Sequence, residues 1–300
     1  MIIIMNVNHI FRKIDVPTVL IFGTLAMLAS SCSNEDYLGG HVTENGCGTQ
    51  ISIQASITSD LKPNATILPY ERIGVSTGYE DNTSLNRAYI CNDDGKSFTN
   101  ETGYPLYVKA ATNLFAYYPF QGVEGADPEL ILSTTDQSNI KDLFVAQSDN
   151  IIPGENRDIK LPMIYAYAQI LMNIKVPEGE SLSEYRLSGL YHEGSINAFS
   201  HDITLEKATS DISGPISGNQ LVLTLIPQSI SRSNGAKIVF LGERRSYDMR
   251  LDSLNIKPDT RITADVDLSN GIGTIEFTSG NGQWIDSGIE NKVESSDSNS

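Results

Sequence analysis

The residue with the most specific chemistry in this chain is Cys32, because Ala29, Ser30 and Ser31 stand immediately before it. Small side chains ahead of a cysteine are what a lipoprotein signal peptidase requires. The thiol would carry a diacylglycerol, and Cys32 would become the first residue of the mature protein. Upstream, Arg12 and Lys13 form a short basic region and Val16 to Ala29 an apolar run broken by Pro17, Thr18 and Gly23. A membrane-spanning helix needs roughly 20 apolar residues, so this run reads as a cleaved signal and not as a span. Residues 1–31 are therefore predicted to be a lipoprotein signal peptide. An ordinary secretory signal cut near Ala29 is the other reading. With Cys32 lipidated, Cys47 and Cys91 remain in an oxidising compartment, where they are candidates for a disulfide. Spacing alone does not show whether their Cα atoms come within bonding range.

Catalytic chemistry is harder to find. The four histidines are His9, His41, His192 and His201, and none has a Cys or HExxH context, so turn or surface positions are expected for His192 and His201. Asn92-Asp93-Asp94-Gly95 lacks the alternating carboxylates and closing Glu of a calcium loop and reads as a tight turn. No G-x-S-x-G elbow occurs, and Gly271 to Glu276 is no phosphate loop. Pairs of acids for glycoside hydrolysis are a matter of spatial separation that sequence does not give. No enzymatic activity, metal or cofactor is expected. Tyr104, Tyr107, Phe115, Tyr117, Tyr118 and Phe120 crowd one region and could stack on sugars, but their alternation favours packing on strand faces.

Charge narrows the partners. The chain has 300 residues with 21 Lys plus Arg against 37 Asp plus Glu. Losing the signal removes Arg12, Lys13 and Asp15 and leaves the mature chain strongly acidic. Such a surface repels phosphate backbones and anionic headgroups, so nucleic-acid binding is excluded and attachment to a membrane falls to the lipid.

The elements that would carry these residues are strands. Ile51, Ile53, Ala55 and Ile57 alternate with Ser52, Gln54, Ser56 and Thr58, and Ile262 to Leu268 repeats the pattern against Arg261 to Asp267. Between them, short strands are predicted at Arg72 to Gly78, Arg87 to Cys91, Leu106 to Lys109, Asn113 to Phe120, Leu130 to Ser133 and Asp142 to Ala146. A long one is expected within Met163 to Val176, followed by several more to Leu251. No amphipathic helix of 10 residues is apparent. The fold class is all-β, and the turn-rich loop Asn150 to Lys160 is the natural place to divide it.

An ordered set of segments then points to a family. Arg72-Ile-Gly-Val75, Leu114-Phe-Ala-Tyr-Tyr-Pro-Phe120, Asp142-Leu-Phe-Val-Ala146, Ile170 to Val176, Leu225-Ile-Pro-Gln228 and Gly282-Gln-Trp284 together resemble the fimbrillin family, the type V pilus subunits and Mfa-like lipoproteins of Bacteroidetes. Ser33-Asn34-Glu35-Asp36 is similar to the acidic signal that sends lipoproteins of that group to the cell surface. The resemblance implies two transthyretin-like β-sandwich domains after the signal peptide: a tether over 32–48, an N-terminal domain over 49–157, a C-terminal domain over 158–286 and a polar tail over 287–300. It also implies a surface-exposed pilus subunit, anchor or tip, whose partners are other pilin subunits and a surface receptor, with the outer membrane reached through its lipid. Assembly would proceed by β-strand addition. The first strand, Thr49 to Thr58, is removed by cleavage in the loop Ser59 to Glu71, and a strand from another subunit, near Gly273 to Phe277 or Trp284 to Ile289 of its chain, takes its place. Family pilins commonly offer Arg in that loop, whereas here the candidate processing sites are Lys62 and, at the far edge, Arg72. A surface lipoprotein that binds glycans without polymerising is the alternative.

Overall fold

The computed structural model describes residues 48–78, 85–155, 157–198, 200–206, 211–230, 235–251, 254–269 and 273–279. Cys32, Cys47, the signal peptide, most of the tether, Trp284 to Ile289 and the polar tail lie outside the described residues. The described part is all-β.

In the first half run β1 (Thr49–Ile57), β2 (Arg72–Thr77), β3 (Arg87–Cys91), β4 (Ser97–Asn100), β5 (Leu106–Val108), β6 (Thr112–Tyr118), β7 (Leu130–Ser133), β8 (Phe144–Ile151) and β9 (Asp158–Tyr165). Eight of them form one sheet in the order β4-β3-β2-β6-β8-β9-β1-β5, and a further pairing of β1 with β4 closes that sheet on itself. Alternation explains β1. Ile51, Ile53 and Ala55 are buried in the core inside this closed sheet, while Gln50, Ser52, Gln54 and Ser56 face solvent. Strand β6 departs from the expected two-sided pattern, since Leu114, Phe115, Ala116 and Tyr117 are all buried.

The second half contributes β10 (Ala168–Lys175), β11 (Leu182–Ser188), β12 (Glu193–Ile196), β13 (Ile203–Leu205), β14 (Ile212–Pro215), β15 (Gln220–Leu225), β16 (Gln228–Ile230), β17 (Lys237–Gly242), β18 (Ser246–Arg250), β19 (Leu254–Ile256), β20 (Arg261–Asp267) and β21 (Thr274–Ser279). One four-stranded sheet, β15-β10-β20-β21, and another, β14-β11-β17-β18, bury their inner faces in a shared second core around Met172, Ala264, Ile238 and Phe240. Two sheets sharing a core make a β-sandwich.

The long apolar segment is not one strand: β9 ends at Tyr165, Ala166 and Tyr167 cross over, and β10 begins at Ala168. Strand β9 belongs to the first sheet, and its buried residues join the first cluster, whereas those of β10 join the second. Strand β12, although late in sequence, pairs with β7 and carries β13 on its other edge, and Ile196, Ala198, Ile203 and Leu205 pack on the first core.

One glycine is fixed by a close approach. Gly74 on β2 lies opposite Tyr117 on β6, and a Cβ placed on it would come within 2.2 to 2.6 Å of the phenol ring. The ring cannot retreat readily, because its hydroxyl donates to the Gln121 carbonyl at 2.8 Å and bonds to Asn86. Gly74→Ala is expected to lower unfolding free energy by about 2–3 kcal/mol, the usual scale of overpacking, as read from urea midpoints at unchanged slope.

Candidate assembly site around the first strand

Strand β1 is held on both edges. On one side it runs parallel to β9, with Ser52 to Ile57 in register with Asp158 to Met163. On the other side Thr49 to Ile51 pair with β5, and Ile53 and Gln54 pair with β4. The Ser52 N–H donates to the Arg157 carbonyl at 2.6 Å, the Ala55 N–H to Lys96 at 3.0 Å and the Thr58 N–H to Met163 at 2.8 Å. Ile51 and Ile53 are 3 % and 1 % exposed. Each fully buried isoleucine contributes roughly 1.5–3 kcal/mol, so taking β1 away would expose two large apolar pockets and two rows of unpaired backbone groups. The vacancy would have the shape of a strand.

The segment after β1 is tied down residue by residue. Ser59 is buried, and its hydroxyl donates to Oδ1 of Asp259. The amides of Asp60 and Leu61 donate to the two oxygens of the same carboxylate, at 3.1 and 3.4 Å, and the Lys62 amide donates to the Ser59 hydroxyl at 3.0 Å. Asp259 comes from the turn between β19 and β20, has φ of 55°, and donates its own amide to the Tyr167 carbonyl at 2.8 Å. Asp tolerates that left-handed conformation better than most residues.

Lys62 points back onto the fold. Its ammonium lies 2.8 Å from Oδ1 of Asp142 and 5.0 Å from the centre of the Tyr165 ring, while Tyr165 donates its hydroxyl to Asp142 at 2.9 Å. Pro63 follows, so the bond after Lys62 has a ring where a trypsin-like enzyme needs a free amide. Arg72 is not beside it. Arg72 opens β2, pairs with Ile90, meets Glu101 at 3.2 Å and stacks over Phe120 at 5.1 Å.

The remaining sequence candidates are placed as follows. Cys91 is a free thiol, wholly buried on β3, with burial and the nearby Asp94 and Glu71 pushing its pKa up. Cys47, the expected disulfide partner, lies outside the described residues. His192 is buried and not at the surface: its carbonyl accepts the Thr134 amide at 2.8 Å, and the Tyr191 amide before it donates to Gln228 at 3.1 Å. Phe115 and Tyr117 are packed inside, whereas Tyr104 and Tyr107 are exposed. Thr274 to Phe277, expected as a donor, are already paired with β20 in their own sheet, where β21 is the edge strand. Among the described residues no three His, Cys, Asp or Glu side chains come together as metal ligands would.

Comparison with known proteins decides the family. Residues 47–289 match the profile of the fimbrillin-like family. The chain belongs to the fimbrillin-like family. Solved structures share the fold of this fimbrillin-like chain at low identity. A protein described as a cell adhesion protein from Bacteroides ovatus aligns at TM-score 0.56 and 20 % identity, over 79 % of this chain and 98 % of that one. Another, from Bacteroides uniformis, aligns at 0.56 and 14 %, over 77 % and 98 %. The tip fimbrial protein of Porphyromonas gingivalis, solved with a C-terminal truncation, aligns at 0.51 and 8 %, over 77 % and 99 %. No curated protein sequence matches. Neither Asp259 nor Asp142 stood out as a site residue from sequence. Asp142 did lie in a segment that carries the resemblance, but nothing in the spacing announces Asp259.

Proposed function

We propose that this fimbrillin-like protein is a surface pilus subunit, carried to the outer membrane by lipid on Cys32, that joins other pilin subunits by β-strand addition at the site now filled by β1. The observation that carries the reading is the double pairing of β1. A strand at the edge of a sheet can be lost at little cost, but a strand that closes a sheet leaves a groove with backbone donors and acceptors on both walls. Ile51, Ile53 and Ala55 define alternate pockets in that groove, which would set the register of an incoming strand. The tip fimbrial protein among the structural neighbours, and the shared family, support the same role.

The test is recovery of the protein from the cell surface with its N-terminus determined by mass, alongside immunogold labelling of pili. The expected result is a chain bearing a diacylglyceryl Cys32 that co-purifies with pilin subunits. A chain that never co-purifies with pilins, whatever its N-terminus, would overturn the proposal.

A further inference from the structure

We infer that Asp259 and Asp142 form a latch that keeps β1 seated, so that strand exchange at this site requires the segment after β1 to be released first. The inference rests on the reading of β1 as an exchangeable strand. It concerns control of that site.

The geometry of the two ends of β1 differs. At its start, Thr49 accepts the Gly154 amide through its hydroxyl, and most of the tether before it lies outside the described residues. At its end, four consecutive residues are engaged by acids from elsewhere in the fold. Asp259 takes the hydroxyl of Ser59 and the amides of Asp60 and Leu61, and Asp142 takes the ammonium of Lys62. One carboxylate accepting three hydrogen bonds is a strong local tie, since bonds to a charged acceptor are roughly twice as strong as neutral ones. The tie also joins the two halves: Asp259 precedes β20 of the second core, and Leu61 is buried in the first.

Two consequences follow for processing. From Cys32 to Leu61 the chain contains no Lys or Arg, so the first bond open to a trypsin-like enzyme after the anchor is the one that Pro63 and the latch both guard. The next, after Arg72, lies inside the β2 ladder. A protease needs a local stretch of unfolded backbone, and the free energy of that opening sets the cleavage rate. The latch raises it.

Asp259→Gly tests this directly, because glycine accepts the φ of 55° and removes the carboxylate together with its Cβ. Amide hydrogen exchange on the full mature chain should show Asp60 and Leu61 exchanging at least ~10-fold faster than in wild type, with β9 and β20 amides unchanged. Subtilisin, which does not depend on Lys or Arg, should cut within 58–66 in the variant and in Asp142→Asn, and leave wild type intact there. Unchanged exchange at Asp60 and Leu61, or wild type cut in that segment as fast as the variants, overturns the latch. A rise spread equally over β9 and β20 would mean general destabilisation and also counts against it. Co-purification with pili is scored separately, so a failed latch leaves the pilus assignment to its own test.

Discussion

Asn86→Ala is expected to destabilise the protein by about 2–3 kcal/mol, more than most single substitutions. Asn86 is completely buried, with φ of 44°, and its amide N–H donates to the Ser76 hydroxyl at 2.9 Å. Its side chain donates to two carbonyls of the following loop, Gln121 and Val123, each at 3.0 Å, and its oxygen accepts the Tyr117 hydroxyl. Alanine leaves the Val123 carbonyl without its Asn86 donor and the Gln121 carbonyl with the Tyr117 hydroxyl alone, at roughly 1–3 kcal/mol for an unsatisfied group, and sits less comfortably at positive φ. Asn86→Asp should be at least as damaging, because it turns the donating nitrogen into an oxygen facing those same carbonyls. Chemical denaturation with fluorescence detection measures both. A loss below about 1 kcal/mol for Asn86→Ala would show that the loop 121–125 is held by something else.

Asn86 also shows which parts of the structure were legible in the sequence. Strands with one wet face could be read: β1 and β20 each place their alternating aliphatics inward, as expected from period two. The junction between β9 and β10 could not be bounded this way, although β9 itself alternates wet and buried positions. Tyr165, Ala166, Tyr167 and Ala168 are all essentially inaccessible to solvent, so apolar character carries no mark of where β9 stops and β10 starts. Strands of three or four residues, such as β4, β14, β16 and β19, are too short for a period of two to register against the surrounding loops. The site residues divide likewise. Strand β1 was visible because its pattern is local, and Lys62 because it is the first base after Cys32. Asp259 lies 200 residues from Ser59, and a single Asp in a turn gives no local signal of the three groups it will hold. Strand β12 returning to β7 is a non-local choice of the same kind.

Acid should loosen this fold in a window set by two histidines. Burial pushes the pKa of His201 from 6.5 down to about 4, with Asp149 pulling weakly the other way, and the ring packs edge-on to Phe115 at 5.0 Å. Burial also lowers His192, opposed by Asp211 and Glu193, and among the described residues neither of its ring nitrogens has a partner. In both cases the folded protein resists a proton that the unfolded chain accepts at its ordinary value. The stability is thus fully present above pH 6.5 and is lost as pH falls toward the folded values. For His201 the shift corresponds to about 2–3 kcal/mol between pH 6.5 and 4, allowing for its partial exposure. The depressed carboxylates contribute in a lower range: Asp267, held near 2 by Ser269 and Lys175, loses its contribution only as pH drops below its ordinary 3.8. The two groups of residues can therefore be separated by pH. His201→Asn keeps a residue suited to the positive φ of 57° and removes the titration, so its stability should change less than that of wild type between pH 6.5 and 4.5. Urea midpoints across that range decide the matter, and identical slopes for the two proteins would mean that the acid sensitivity arises elsewhere.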